Sequence, residues 1–277
     1  MFISHVLIRD LTIITGFIEA TLLPLTPVYV ITILVIACSL YISWAGIEVI
    51  ARYNEICFLI FLGVVLFIPI SLINSLAIEN FEPVLGLETI PSVFQSAYLG
   101  LAWVGEIIIV FLIIGMVNPL KNVKKAIFLG GAIGIGMLFI LIFSGIAVLG
   151  AEILRYTTYP TYTLVQQIRI TEFLDRLDFF LVSLYFPAVF SKFALFFFGL
   201  QRAFNLFSGM NTKYTFIPLS IMIGVLANVL FENKGEKLEF QIHTWATMGL
   251  VIELMIVIVM IFVIRSMNQR KPAEKNA

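Results

Sequence analysis

Residues 179–200 read FFLVSLYFPAVFSKFALFFFGL, an apolar stretch interrupted by one charge, Lys192. About 20 apolar residues carry a helix across a bilayer, so this stretch has the length of a span. A lysine at that depth costs about 3 kcal/mol on insertion scales and must face a partner or a watery cavity. Pro187, one turn and a residue earlier, removes a backbone donor and is expected to kink or open the helix. A charge beside a helix break inside a membrane is a place where a solute or an ion is held. The remaining chain is therefore read for what faces Lys192.

Only 12% of the 277 residues are charged and 61% are hydrophobic, whereas a soluble domain carries roughly 25% charged residues. The net charge of zero leaves no basic stripe for a nucleic acid. Cys38 and Cys57 stand in apolar runs and read as two buried thiols. His5 and His243 are isolated, with no metal-ligand spacing. No nucleophile, metal or base constellation appears, so neither an enzyme nor a cofactor is expected. The start lacks a basic region and a small-residue cleavage site, so no cleavable signal peptide is expected either.

Apolar runs recur at about 2–23, 28–44, 56–75, 93–117, 126–149, 179–200, 216–230 and 244–264. The fold class is an all-α polytopic membrane protein with eight spans in one domain, 1–265, and a polar cytoplasmic tail, 266–277. Lys121, Lys124 and Lys125, then Arg202 and Lys213, then Arg265, Arg270, Lys271 and Lys275 fall on one side, and Glu79, Glu82 and Glu88 on the other. Basic loops stay inside, which puts both termini in the cytoplasm. The first run carries Arg9, Asp10 and Glu19 and begins almost at Met1, so the start reads as cut into a longer protein.

Four further stretches carry candidate chemistry. In 98–106, YLGLAWVGE, Gly100 and Gly105 flank Trp103 and precede Glu106. This pattern suggests a discontinuous helix beside an intramembrane carboxylate, or else a glycine packing face with a protonated, silent Glu106. Glu106 and Lys192 lie at similar depths from the cytoplasmic ends of their runs, at about 1.5 Å per residue, so a Glu106–Lys192 pair is expected. Phe196 shares a helix face with Lys192, as a pocket wall or a lipid-facing ring. Glu48, Arg52 and Glu55 share another face, as an ion-pair ladder or a gate. Glu253 stands in the last run, with a structural bond and a functional role both open. The glycines of 130–136 have the small-xxx-small spacing of packed helices. Segment 159–169 reads as an external amphipathic stretch lying at the membrane interface.

These motifs, in this order, resemble one family. Thr26-Pro27, GIEVIARYNE at 46–55 and FEPVL at 81–85 are similar to its first half. Gly105-Glu106, the lysine-rich 121–125, Tyr159-Pro160-Thr161 and EFLDRLD at 172–178 are similar to its second. The family is the B subunit of endospore germinant receptors, within the amino acid–polyamine–organocation transporter superfamily. The resemblance implies a ten-helix inverted-repeat fold, with the eight runs as helices three to ten and the first two helices and part of the third absent. It also implies a ligand site lined by Val6, Gly100, Trp103, Glu106, Lys192 and Phe196. Lys192 departs from an uncharged position in relatives and favours a carboxylate or replaces a coupled cation.

The reading is a permease-like subunit that senses a small nutrient, an amino acid by expectation, in the spore inner membrane and the lipid bilayer. Receptor A and C subunits are implied as partners, and no nucleic acid is. The alternatives are a proton-coupled amino-acid transporter and a truncated, non-binding remnant.

Overall fold

The computed structural model describes residues 1–82, 90–117, 122–168, 177–210, 212–231 and 234–270. Pro83, Gly86, Glu88, Asn118, Lys121, the 169–176 stretch with Glu172 and Asp175, and the tail from Lys271 lie outside the described residues. Among the described residues every regular element is helical. That follows from the apolar runs, because a backbone in hydrocarbon must satisfy its own hydrogen bonds.

The long helices are α1 (Phe2–Thr21), α2 (Val28–Trp44), α3 (Ile47–Ser71), α4 (Ile90–Val104) with the short α5 (Val110–Ile113), and α6 (Val123–Tyr156). They continue with the short α7 (Pro160–Val165), α8 (Leu177–Ser208), α9 (Phe216–Val229), the short α10 (Lys234–Glu239) and α11 (Trp245–Arg270). Five segments are long and apolar enough to span a membrane: Ile47–Ser71, Ile90–Met116, Val123–Tyr156, Leu181–Ser208 and Trp245–Val263. Val28–Trp44 and Lys213–Val229 are shorter apolar helices. The chain is an all-α polytopic membrane protein.

Two compact units divide it. The larger comprises Ile3–Val84 and Leu112–Leu230, and the smaller Met1–Phe2, Leu85–Phe111 and Phe231–Ala277. In the larger unit α8 packs against α2 and α3, α9 against α2, and α6 against α3. Hydroxyls in these helices bond one turn back. Thr12 Oγ1 donates to the Ile8 carbonyl at 2.8 Å and also to that of Ala227 at 3.2 Å. Ser43 Oγ donates to Ser39 O at 2.8 Å and to Ala194 O at 2.9 Å. In the smaller unit α4 packs against α11.

Several expectations need correction. Helix α8 does not open at Pro187 but runs on through it to Ser208, because a proline removes only one of the many ladder bonds of a long helix. The segment after Tyr159 turns its apolar face to protein rather than to lipid. Leu164, Val165 and Ile168 are buried in one cluster with Ile68, Leu72 and Leu181, since apolar area gains more against helices than at a wet interface. Phe17 of α1 meets Tyr159 and Tyr162 edge-on at 5.0 and 5.6 Å. Burial and the nearby Glu19 charge push the Tyr159 phenol up. Cys57 is buried, but Cys38 is exposed on α2 rather than buried. The Glu48–Arg52 pairing agrees with the expected ion-pair ladder: these residues form the first turns of α3, where Arg52 Nη2 meets Glu48 Oε1 at 2.8 Å. Both side chains are exposed, so this pair is a local anchor contributing well under about 1 kcal/mol.

Helix α6 outlasts its apolar run because it bends at Gly150, which sits at φ 77. A left-handed residue breaks the ladder and frees carbonyls of the preceding turn. Here Ala147 O accepts from the Ala77 N–H at 3.0 Å and from Asn80 Nδ2 at 2.9 Å. The bend is thus sealed by the segment after α3. Gly150→Ala is expected to lower stability by about 1–2 kcal/mol, because an L-residue is strained there. Thermal unfolding of the detergent-purified chain checks this, and an unchanged midpoint would contradict it.

Candidate functional site

The centre of the larger unit is a carboxylate held between two cations. Asp10 stands midway along α1, and its Oδ2 pairs with Lys192 Nζ of α8 at 2.7 Å. Its Oδ1 accepts from Arg9 Nε at 2.8 Å and also from Arg9 Nη2. Arg9 is 1% exposed. Burying such charges is tolerable only when they are paired and hydrogen-bonded. The insertion penalty of Lys192 is met by Asp10, and Asp10 in turn fixes Arg9.

Around this centre the predicted residues fall into place. Val6 is fully buried and lies one turn from Asp10 on the same face of α1. Phe196 is 4% exposed, and Lys192 Nζ lies 5.6 Å from its ring centroid. The lipid-facing alternative for Phe196 is therefore ruled out, and the ring acts as a cation–π wall. Rotation of α8 is fixed on either side of the lysine. Ser191 Oγ donates to Asn54 Oδ1 of α3, and Ser43 Oγ of α2 reaches Ala194 O. The arrangement can hold a small zwitterion or anion against a fixed cation.

Gly100, Trp103 and Glu106 belong to the smaller unit. Helix α4 ends at Val104 and tightens into a 3₁₀ segment, Gly105–Ile109, so the winding changes where a discontinuous helix was expected. Glu106 is buried at 7% exposure, whereas Trp103 is 41% exposed. Gly100 has open space where a side chain would stand. Glu253 of α11 is buried at 6% exposure, and a Cβ built on Gly105 would overlap its carboxyl group. The missing side chain at Gly105 therefore makes the seat for the Glu253 carboxyl. Close approach continues along α11. A Cβ on Gly249 would come within 3.2 Å of the Trp245 ring and 3.4 Å of Ala102, and Tyr98 OH meets Thr247 Oγ1 at 2.9 Å.

Residues 1–236 match the spore permease family, described as "Spore germination protein". The chain belongs to this family. It is 28% identical to the putative spore germination protein YfkT of Bacillus subtilis (strain 168), over 93% of this chain and 71% of that relative. Spore germination protein KB of the same organism is 28% identical, over 77% of this chain and 58% of its own length. Spore germination protein YndE is 25% identical, over 78% and 58%. The chain thus spans a little over half of the length of two of these relatives. No solved structure matches it at a significant level.

As a spore permease family member, the chain places three charges, Arg9, Asp10 and Lys192, together inside helices of a membrane bundle. The partner that the structure gives Lys192 is Asp10, which the depth comparison alone did not select. Asp10 lies near the middle of a 20-residue helix, so the same depth comparison applied to α1 would have found it. The adjacent Arg9 masked the signal, because Arg9–Asp10 reads as a self-contained local pair.

Asp10→Asn is expected to cost about 3 kcal/mol of stability, because it leaves two cations facing a neutral amide. Lys192→Met should cost clearly less, since Arg9 still holds Asp10. Equal losses, in denaturant unfolding of the purified chain, would refute the bridging role. In the smaller unit Gly105→Ala should cost about 1–3 kcal/mol by overpacking. Adding Glu253→Ala should restore part of that loss, and strict additivity in the double-mutant cycle would contradict the seat.

Proposed function

We propose that this chain is the nutrient-sensing, permease-like subunit of an endospore germinant receptor, with an amino acid as its ligand. The observation that carries the reading is the Lys192–Asp10–Arg9 centre walled by Phe196, set within the helices. An intramembrane ionisable cluster is a functional-site hypothesis by default, because such residues mark substrate and ion pathways. The ammonium of Lys192 offers a partner to a ligand carboxylate, Asp10 offers one to an ammonium, and Val6 and Phe196 supply apolar wall. Gly100, Trp103 and Glu106 are proposed as ligand-binding residues of their own unit.

Membership of the spore permease family and the relatives' names support a role in germination. The finer assignments belong to the proposal. They are the ten-helix inverted-repeat fold with these helices as the third to the tenth, the A and C subunits as partners, the spore inner membrane as the site, and cytoplasmic termini. A signal requires that the ligand bind two states of the bundle unequally. Exchange of Asp10 between Lys192 and a ligand ammonium is a means to that difference.

The test is germination of spores whose native copy is replaced by this chain, scored by release of dipicolinic acid against a panel of amino acids. A response to one amino acid is expected, and Lys192→Met should raise the concentration needed by about 10- to 100-fold, the equivalent of one lost charged contact. A response with unchanged concentration dependence in Lys192→Met would remove the site, and no response to any amino acid would remove the ligand class. The buried Glu106 and Glu253 within apolar segments, with the part-buried Asp10 of α1, favour one second reading, a proton-coupled amino-acid transporter. Counterflow of labelled amino acid in proteoliposomes would establish it over a sensor.

A further inference from the structure

Helix α8 is longer than the hydrocarbon core of a bilayer is thick. Leu181–Ser208 has 28 residues, about 42 Å at 1.5 Å per residue, against a hydrocarbon core of about 30 Å. Ser208 stands about 24 Å along the helix from Lys192. With Lys192 near the middle of the bilayer, the last two turns of α8 reach the headgroup layer. The chain there is QRAFNLFSGMNTKYT, 201–215, with two cations and no acid.

The described residues of this corner, 201–210 and 212–215, are cross-tied by hydrogen bonds. The chain reverses at Gly209, at φ 70, and is tied back by its own side chains. Gln201 Nε2 and Asn205 Nδ2 both donate to Thr212 O, at 2.9 and 3.0 Å. Thr215 Oγ1 donates to Asn205 Oδ1 at 3.0 Å. Lys213 Nζ donates to the Trp44 carbonyl at the end of α2, at 3.1 Å, and the Tyr214 ring stands edge-on to Trp44 at 5.9 Å. Arg202 Nη1 lies 3.7 Å from Met116 Sδ. Beyond this scaffold Phe207 is 93% exposed, Tyr214 73% and Leu206 71%. The first acids after Trp44 in sequence are Glu48, which is paired with Arg52, and Glu55, both within α3.

Bulky rings at headgroup depth, beside cations on a cross-tied scaffold, match one environment. Aromatic side chains settle at the membrane–water boundary, and lysine and arginine there attract anionic lipid at about 1 kcal/mol each. We propose that the 201–215 corner, with Trp44, is a binding surface for anionic phospholipid. Lys213 and Arg202 meet the phosphates, while Phe207, Leu206 and Tyr214 sit in the glycerol and upper acyl region. The inference is independent of the nutrient-sensing reading, because it concerns only how the bundle is seated in its leaflet.

The test uses the full chain in nanodiscs of phosphatidylcholine with phosphatidylglycerol, with lipids retained on the monodisperse protein counted by native mass spectrometry. The expected result is preferential retention of phosphatidylglycerol. Arg202→Gln with Lys213→Gln should lower that preference by about 30-fold at low salt, two charges' worth, and less at high salt. Phe207→Ser should lower total retention for both lipids. Lys237→Gln, in the smaller unit, should change nothing. No preference in the wild type, or equal loss in Lys237→Gln, overturns the proposal. In the first case a protein partner becomes the cover of this corner.

Discussion

One carboxylate in the middle of α1 holds the larger unit's charge together. Asp10 receives Arg9 on one oxygen and Lys192 on the other. The pairing lowers the cost of carrying both cations into an apolar bundle. The contact also ties α1 to α8, and α8 in turn packs on α2 and α3. A single negative charge is thus linked, through α8, to the packing of α2 and α3. That is the property a ligand needs if its own charge is to be felt beyond the site.

The helices themselves were legible. Long apolar runs have one solution in hydrocarbon, and α1, α2, α3, α6, α8, α9 and α11 follow seven of the eight runs, while 93–117 divides into α4, α5 and 3₁₀ turns. Their ends were less legible, because they depend on tertiary contacts. The Gly150 bend lets α6 continue to Tyr156 only since Ala77 and Asn80 take up the freed Ala147 carbonyl. The inward burial of Leu164 and Ile168 likewise requires the partners Ile68, Leu72 and Leu181, which are distant in sequence. An amphipathic pattern says that one face is apolar and does not say whether lipid or protein covers it.

The site was half legible. The expectation that Lys192 and Phe196 share a face agrees with the cation–π geometry found, because four residues in a helix fix that relation whatever surrounds it. The partner of Lys192 was not fixed in that way. Depth along a span is one coordinate, and several acids have similar values of it. Glu253 shows the same limit from the other side. Its seat is defined by the absence of a side chain at Gly105, and a missing group leaves little trace in a pattern of residue types.

The hydroxyls that bond twice have a mechanical consequence. Ser43 has an acceptor on its own helix, at Ser39 O, and another across the seam, at Ala194 O. Thr12 has the same choice between Ile8 O and Ala227 O. When neighbouring helices slide, such a hydroxyl gives up the far acceptor without becoming an orphan in an oily medium. These seams therefore behave as lubricated joints. Polar contact specifies the resting register, yet shear along α2–α8 or α1–α9 exposes no unsatisfied donor, so the bundle can change register without passing through a prohibitively dry intermediate.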